Sequence, residues 1–126
     1  MSFESINIIT EQILRCACKV HSALGPGLLE SSYKECLYYE LMTSSLYTEK
    51  EKPLPLVYEQ VKLDVGYRVD LLIEKKVIVE IKAVEALNDI HTAQVLTYLK
   101  LSGCKVGLLL NFNTSSLKNG IKRLIL

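Results

Sequence analysis

Residues 67–84 read YRVDLLIEKKVIVEIKAV, and this stretch decides the fold. Two segments rich in β-branched and aliphatic residues, 67–73 and 77–84, are separated only by the polar residues 74–76. This composition is typical of two antiparallel strands joined by a short turn. The sequence therefore predicts a β-hairpin at the centre of the molecule.

A three-residue turn at 74–76 places Asp70 directly opposite Glu80, with about 5 Å between their Cβ atoms. Side chains alternate between the two faces of a strand, so Glu80 and Lys82 share one face with Asp70. The opposite face is predicted to be wholly apolar and to consist of Val69, Leu71, Ile73, Val77, Val79 and Ile81.

Two facing carboxylates repel each other and are costly to remove from water. A hard divalent cation offsets this cost, because Mg²⁺ favours one or two carboxylates together with phosphate oxygens. Lys82 would then position or deprotonate a water molecule, or stabilise charge on a phosphate. The alternative is that Asp70 and Glu80 form ion pairs with Arg68 and Lys82, and the spacing alone leaves both interpretations open.

Two amphipathic helices precede the hairpin. Apolar residues at steps of three and four predict a first helix from about 3 to 24, capped by Ser2 and ended by Gly-Pro-Gly at 25–27. A second helix is predicted from about 28 to 45. The apolar stripes consist of Ile6, Ile9, Ile13, Ala17, Val20 and Leu24 in the first helix, and of Leu29, Tyr33, Leu37 and Leu41 in the second.

Strand patterns flank the hairpin on both sides. Alternating apolar residues from Leu54 to Val65 predict a strand before it. After it, a third helix is expected from Asn88 or Asp89 to about Ser102, closed by Gly103. The apolar run 105–112 then predicts a buried strand parallel to 77–84, and 121–126 a short final strand.

The third helix carries a polar stripe beside its apolar face. His91, Gln94 and Tyr98 are three and four residues apart and therefore lie on one side. These side chains either line a cleft or are ordinary residues at the boundary between core and solvent. For His91 taken alone, the boundary interpretation is favoured. Glu30 is similarly ambiguous, since an acid in the first turn stabilises a helix with or without a metal.

The composition limits the classes of function that are possible for this chain. The 126 residues are 49% hydrophobic, enough for one domain with a core, and 15 Lys+Arg against 14 Asp+Glu argue against nonspecific coating of nucleic acid. No apolar run approaches a membrane span, and the amino terminus lacks signal-peptide features, so we expect a cytoplasmic protein. The few candidates for contacts with a nucleic-acid backbone are Lys75, Lys76, Lys118, Lys122 and Arg123.

The four cysteines do not indicate a metal site. Their spacing relative to each other and to the two histidines does not fit a zinc module. We expect small, mostly buried cysteines in a reducing compartment.

Four short motifs occur in order along the chain. Residues 27–33, GLLESSY, match the signature GxxExxY, and Asp70, the triplet 80–82 and residues 94–98, QVLTY, match D, ExK and QxxxY. In these motifs, and over nearly its whole length, the chain resembles the GxxExxY protein family of the PD-(D/E)XK nuclease superfamily.

The resemblance implies an α/β fold with a mixed sheet and a restriction-endonuclease-like core, in a single domain over residues 1–126. Two N-terminal helices would be followed by a β-meander, a crossover helix, a parallel strand and a short final strand. It also implies that Asp70 and Glu80 bind Mg²⁺ or Mn²⁺, that Glu30 supports the metal or Lys82, and that Lys82 assists the nucleophilic water. Gln94 and Tyr98 would contact substrate or orient the site. Val69 stands where the superfamily's motif has proline.

The leading functional hypothesis is a metal-dependent nuclease acting on DNA or RNA. A second hypothesis is a non-catalytic nucleic-acid-binding or accessory module that keeps the fold, which the near-neutral charge favours. A third is a self-associating protein, such as a homodimer, that supplies a partner's missing surface.

Overall fold

The computed structural model describes residues 3–64 and 66–126, arranged as three helices and a mixed sheet. The predicted cap Ser2 and the strand residue Val65 lie outside the described residues. The helices are α1 (Phe3–Leu24), α2 (Glu30–Thr43) and α3 (Asp89–Ser102). The strands are β1 (Thr48–Pro53), β2 (Leu56–Tyr58), β3 (Val61–Leu63), β4 (Arg68–Ile73), β5 (Val77–Lys82), β6 (Val106–Asn111) and β7 (Ile121–Ile125), and a 3-10 helix (Leu117–Gly120) precedes β7.

The main sheet has five strands in the order β1-β4-β5-β6-β7. β5 and β6 are parallel and joined through α3, whereas the other neighbours are antiparallel. Leu71 pairs with Val79 and Ile73 with Val77, which is the register that the three-residue turn predicts. The mixed α/β architecture is consistent with a restriction-endonuclease-like fold and confirms the predicted fold class.

Helices cover both faces of the sheet. α1 and α2 pack on one face through a large apolar cluster, and α3 packs on the other through a smaller one. β6 lies between them and is buried along its whole length, as its continuous apolar sequence predicts. The fully buried side chains at the centre of the first cluster include Ile13, Tyr33, Leu37, Leu71, Ile73, Ile81, Leu108 and Phe112.

α3 has the ends that its sequence predicts. The Asn88 side chain accepts hydrogen bonds from the N–H groups of Ile90 and His91, and His91 Nδ1 accepts one from Asn88 N–H. Gly103 ends the helix in the left-handed conformation, with φ 77°. His91 is therefore part of a capping box.

Two parts of the β-structure differ from the prediction. The short β2–β3 hairpin forms its own sheet and does not join the main one, so Val57, Val61 and Leu63 stay exposed. β1 was not predicted, because its sequence TEKEKP is charged and resembles a loop. It is an edge strand, and charges and proline are common there because they discourage pairing with other chains.

Some predictions about burial, and about which face of the sheet a residue packs on, were wrong. Val69 is buried, but it packs on the α3 side with Leu72 and not on the predicted face with Leu71. The reason is that the β1–β4 pairing omits Glu51 and Asp70. Glu51 adopts a left-handed φ of 51°, which interrupts the regular alternation of side chains. Leu24 and Leu29 are exposed, because α1 ends at the first and α2 begins only at Glu30. Among the cysteines, all free, only Cys16 is buried, and Cys18, Cys36 and Cys104 are exposed or half-buried.

No helix in the described part of the chain has the length and apolar character required to cross a membrane.

Gly120 offers a test of how the 3-10 helix packs on β6. A Cβ atom at this position would collide with the backbone carbonyl of Asn111, the last residue of β6. We expect Gly120→Ala to lower the free energy of unfolding by about 2 kcal/mol, because a backbone atom gives way less readily than a side chain. The exposed neighbour Asn119→Ala should change it by less than about 0.5 kcal/mol. Urea denaturation measures both values, and equal stability of the two variants would contradict this packing.

Candidate active site

The carboxyl groups of Asp70 and Glu80 interlock with the backbone where the β4–β5 pairing ends. Beyond the Leu71–Val79 pair, Asp70 N–H donates a hydrogen bond to Glu80 Oε1 over 2.9 Å. Ile81 N–H donates one to Asp70 Oδ2 over 2.8 Å. Side-chain oxygens thus accept from N–H groups of the opposing strand at the point where the regular pairing stops, and this fixes one oxygen of each carboxyl group.

Burial makes this pair electrostatically costly. Glu80 is only 3% exposed. Removal from water, followed by the charge of Asp70, raises the pKa of Glu80 to about 8. Burial also raises the pKa of Asp70, although the Ile81 N–H group and the charges of Lys34 and Lys82 oppose the shift. In the metal-free protein at neutral pH the pair therefore retains a proton.

Lys82 lies on the α3 side of the pair. Its Nζ donates a hydrogen bond to Gln94 Oε1 over 3.1 Å, and Gln94 Nε2 donates one to the Tyr98 hydroxyl over 3.3 Å. Burial, followed by the charges of Glu80 and Asp70, raises the pKa of Tyr98. The predicted polar stripe of the third helix thus faces the two acids through Gln94 and Tyr98.

The salt-bridge alternative of the sequence analysis does not match the structure. Among the described residues, no ion pair joins Asp70 or Glu80 to Arg68 or Lys82. Lys82 acts on both carboxyl groups only through its charge, which lowers their pKa values against the larger effect of burial.

Glu30 connects α2 to the end of β5. Its Oε2 accepts a hydrogen bond from Ala83 N–H over 3.3 Å, and its charge contributes to the raised pKa of Asp70 after the larger effect of burial. The described residues contain no group of three or more His, Cys, Asp or Glu side chains placed to hold one metal ion. A role for Glu30 as a metal ligand therefore stays a prediction, and Asp70 and Glu80 are the two acids in contact.

Sequence reasoning missed two residues near the site. Asn111 is buried, and its side chain accepts from Val84 N–H and donates to Val84 C=O over 3.1 and 2.9 Å, which fixes the segment after β5. Lys34 is the first of the charges that lower the pKa of Asp70, against burial. Two features of the sequence could have indicated these residues. Asn111 ends an apolar strand, and Lys34 lies one helical turn after Glu30.

The five cations proposed for contacts with nucleic acid are not gathered at the acids. Lys75 and Lys76 lie in the β4–β5 turn, at the opposite end of the hairpin from Asp70 and Glu80. Lys122 donates to Thr92, and Arg123 donates to Asn7 and Thr10. Lys118 is exposed in a groove beside the end of α1.

The donor set fits a hard divalent cation. Asp70 and Glu80 supply carboxylate oxygens, and the close approach of two like charges is relieved when a cation lies between them. Magnesium needs only one or two carboxylates from the protein when phosphate oxygens and water complete its shell.

Comparison with known protein families agrees with this geometry. The family model of the PD-(D/E)XK nuclease superfamily matches residues 7–124. The chain belongs to this superfamily. Members of the PD-(D/E)XK superfamily generally use divalent metals. No curated protein and no solved structure matches the chain.

The raised pKa of Glu80 in this PD-(D/E)XK chain predicts how stability depends on pH. In the unfolded chain Glu80 releases its proton near its ordinary pKa of 4.5, whereas in the folded protein it keeps it until about pH 8. The stability associated with this group is therefore complete below about pH 4.5 and is lost as pH rises to 8. Glu80→Gln should make the metal-free protein more stable by about 1 to 3 kcal/mol at pH 8.5, and by little at pH 4.5.

Urea denaturation in EDTA between pH 4.5 and 8.5 measures this difference. Glu11→Gln, which changes an exposed residue of α1, is the control and should show no such trend. A stability difference between Glu80→Gln and wild type that is the same at every pH would contradict the assignment of a buried, protonated Glu80.

Proposed function

We propose that this chain is a nuclease that hydrolyses phosphodiester bonds in DNA or RNA with the help of a bound divalent metal. The observation that carries the proposal is the interlocked carboxyl pair of the half-buried Asp70 and the buried Glu80, with Lys82 beside it. Such a pair is expensive to maintain in a stable fold, and a metal site explains its presence.

Asp70 and Glu80 would hold Mg²⁺ or Mn²⁺, with Glu30 supporting the site from the start of α2. The metal supplies polarisation of the phosphate and a more acidic water molecule. Occupation of the site requires the carboxyl pair to give up the proton that burial retains on it, so metal binding and proton release are linked.

Lys82 stabilises negative charge that builds up on the phosphate and orients the attacking water. Its ammonium group keeps one donor on Gln94, and Gln94 is held in turn by Tyr98. This chain of hydrogen bonds fixes the direction of a flexible side chain, which reduces the conformational freedom lost when substrate binds.

Within the superfamily we assign the chain to the GxxExxY family. Tyr33 of the signature is fully buried and stacks on Phe112, with 4.6 Å between ring centroids. Its hydroxyl donates to Gly25 C=O and accepts from Leu28 N–H. The tyrosine thereby holds the α1–α2 turn, and Glu30 follows that turn directly. We also propose a cytoplasmic location and a single domain over residues 1–126.

A non-catalytic nucleic-acid-binding module is the second candidate function. The net charge of +1 and the in-chain contacts of Lys122 and Arg123 leave few free cations for a long nucleic acid. In this case the carboxyl pair would stay protonated and would serve only to end the β4–β5 ladder.

Cleavage assays test the nuclease proposal. Wild-type protein is incubated with plasmid, linear duplex and single-stranded substrates in Mg²⁺ or Mn²⁺. We expect cleavage of at least one substrate and a loss of roughly 100-fold or more in Asp70→Asn and Lys82→Met, since each removes charge at the reacting phosphate. Glu11→Gln and Lys100→Met alter exposed acidic and basic positions and should keep wild-type rates. If wild type is as inert as Asp70→Asn on every substrate, the nuclease proposal is wrong.

A Mn²⁺ titration by calorimetry separates the two candidate functions. The nuclease proposal expects saturable binding that is lost in Asp70→Asn and strengthens as pH rises toward 8, because burial raises the pKa of Glu80 to about 8. Absence of binding at pH 8, with the protein folded, would instead favour the non-catalytic module.

A further inference from the structure

We infer that Lys34 is a second functional lysine of the site, which binds a substrate phosphate on the α2 side of the Asp70–Glu80 pair while Lys82 serves the α3 side. This inference rests on the proposed function and extends it, because it assigns phosphate binding to a residue outside the four motifs. It is carried by the position of Lys34 on α2, by its contact with Glu51 across from Asp70, and by the burial of its side chain.

The helix geometry of α2 places Lys34 on the same face as Glu30. Lys34 follows Glu30 by four residues, so the two side chains lie on one face of the helix. Glu30 reaches Ala83 at the end of β5. Lys34 extends from the next turn to Glu51 on β1, which lies across from Asp70 on β4.

A local distortion of β1 supplies the partner of Lys34. The β1–β4 pairing is regular on both sides but omits Glu51 and Asp70, and Glu51 has a left-handed φ of 51°. A non-glycine residue in this conformation is uncommon and costs free energy. The distortion lies directly across from Asp70, and there Glu51 Oε1 accepts a hydrogen bond from Lys34 Nζ over 3.1 Å.

The environment of Lys34 distinguishes it from an ordinary surface lysine. Its side chain is only 14% exposed, whereas that of Glu51 is 55% exposed. The pair Lys50–Glu35 joins the same two elements at 2.7 Å, but its lysine side chain is 34% exposed. Lys34 is thus a largely buried cation held next to the strand position across from Asp70, and Lys50 is a matched lysine on the same interface.

The chemistry of an ammonium group suits this position. Lysine has three N–H donors, and Glu51 accepts from one of them. A phosphate held at Asp70 and Glu80 would lie between Lys82 and Lys34, and either ammonium group is a compact charge suited to phosphate oxygens. Glu51 acts as a positioning residue, because its carboxylate holds Lys34 Nζ.

Phosphate binding and simple stabilisation of the acids have different consequences. A positive charge near Asp70 repels a metal cation and attracts a phosphate. Removal of Lys34 should therefore leave metal binding intact or strengthen it, and should weaken the binding of nucleic acid. A purely structural lysine would weaken both, because its loss would disturb the carboxyl pair.

The test compares Lys34→Met with Lys50→Met in the full chain. Binding of a short fluorescent single-stranded oligonucleotide is measured by anisotropy in Ca²⁺ at several salt concentrations. We expect Lys34→Met to raise Kd roughly five- to tenfold and to reduce the slope of log K against log salt by about 0.7, the value for one lost phosphate contact. Lys50→Met should keep both within the error of wild type, and Lys34→Arg should restore most of the salt slope.

A Mn²⁺ titration of the same variants supplies the second readout. Lys34→Met should bind Mn²⁺ at least as tightly as wild type at one pH. If Lys34→Met fails to fold, Lys34→Gln replaces it: this variant keeps a polar side chain beside Glu51 but loses the charge, so its salt slope should fall by the same amount of about 0.7. A wild-type slope in Lys34→Gln would overturn the inference.

The outcomes separate this inference from the proposed function. One outcome is that wild type cleaves a substrate while Lys34→Met has the oligonucleotide Kd and salt slope of wild type. This outcome would overturn the role of Lys34 and would still support the nuclease proposal. A second outcome is that wild type binds the oligonucleotide but cleaves no substrate, and Lys34→Met has a reduced salt slope. This outcome would support phosphate binding by Lys34 and would contradict the nuclease proposal. Wild type that does not bind the oligonucleotide would overturn the inference, and the plasmid assay would then decide the proposed function separately.

Discussion

The structure depends on the contact between two carboxyl groups, the buried one of Glu80 and the half-buried one of Asp70, where the β4–β5 ladder ends. Asp70 and Glu80 satisfy part of their hydrogen-bonding requirement by accepting N–H groups of the opposing strand. Two like charges in this position would destabilise the fold, so burial retains a proton on the pair. The apolar clusters on both faces of the sheet provide the stability that allows this costly arrangement to persist.

The remaining elements surround this pair from different directions. α3 presents Gln94, which holds Lys82, and α2 presents Glu30 and Lys34. Asn111 at the end of β6 fixes the segment that follows Lys82 through two hydrogen bonds with Val84. Four elements that are distant in sequence thus meet at one end of the central strands, where parallel α/β sheets commonly place their sites. The near-neutral net charge hides this local concentration of acids and lysines.

Much of the site was predictable because it depends on local rules. A three-residue turn fixes the register of a hairpin, and this register brings Asp70 next to Glu80 just beyond the last pair, Leu71 with Val79. Helical spacing places Gln94 and Tyr98 on one face, and the Asn88 and Gly103 caps define the ends of α3. The prediction was wrong for Val69 and missed β1, because both depend on how an edge strand pairs and distorts at Glu51. No local pattern encodes a distortion that arises between two strands.

The sequence by itself determined the helices, the central hairpin, the parallel β6 and the identity of the two facing acids, since periodicity and turn length act over a few residues. Only the tertiary structure decided which charges act on those acids. Lys82 is held by Gln94 and does not form an ion pair with either acid, whereas Lys34, which is 36 residues before Asp70 in the chain, is held by Glu51 and acts on Asp70 through its charge. The physical reason is that burial and electrostatic interaction depend on distances in space, and these are set when α2, α3 and the sheet pack together.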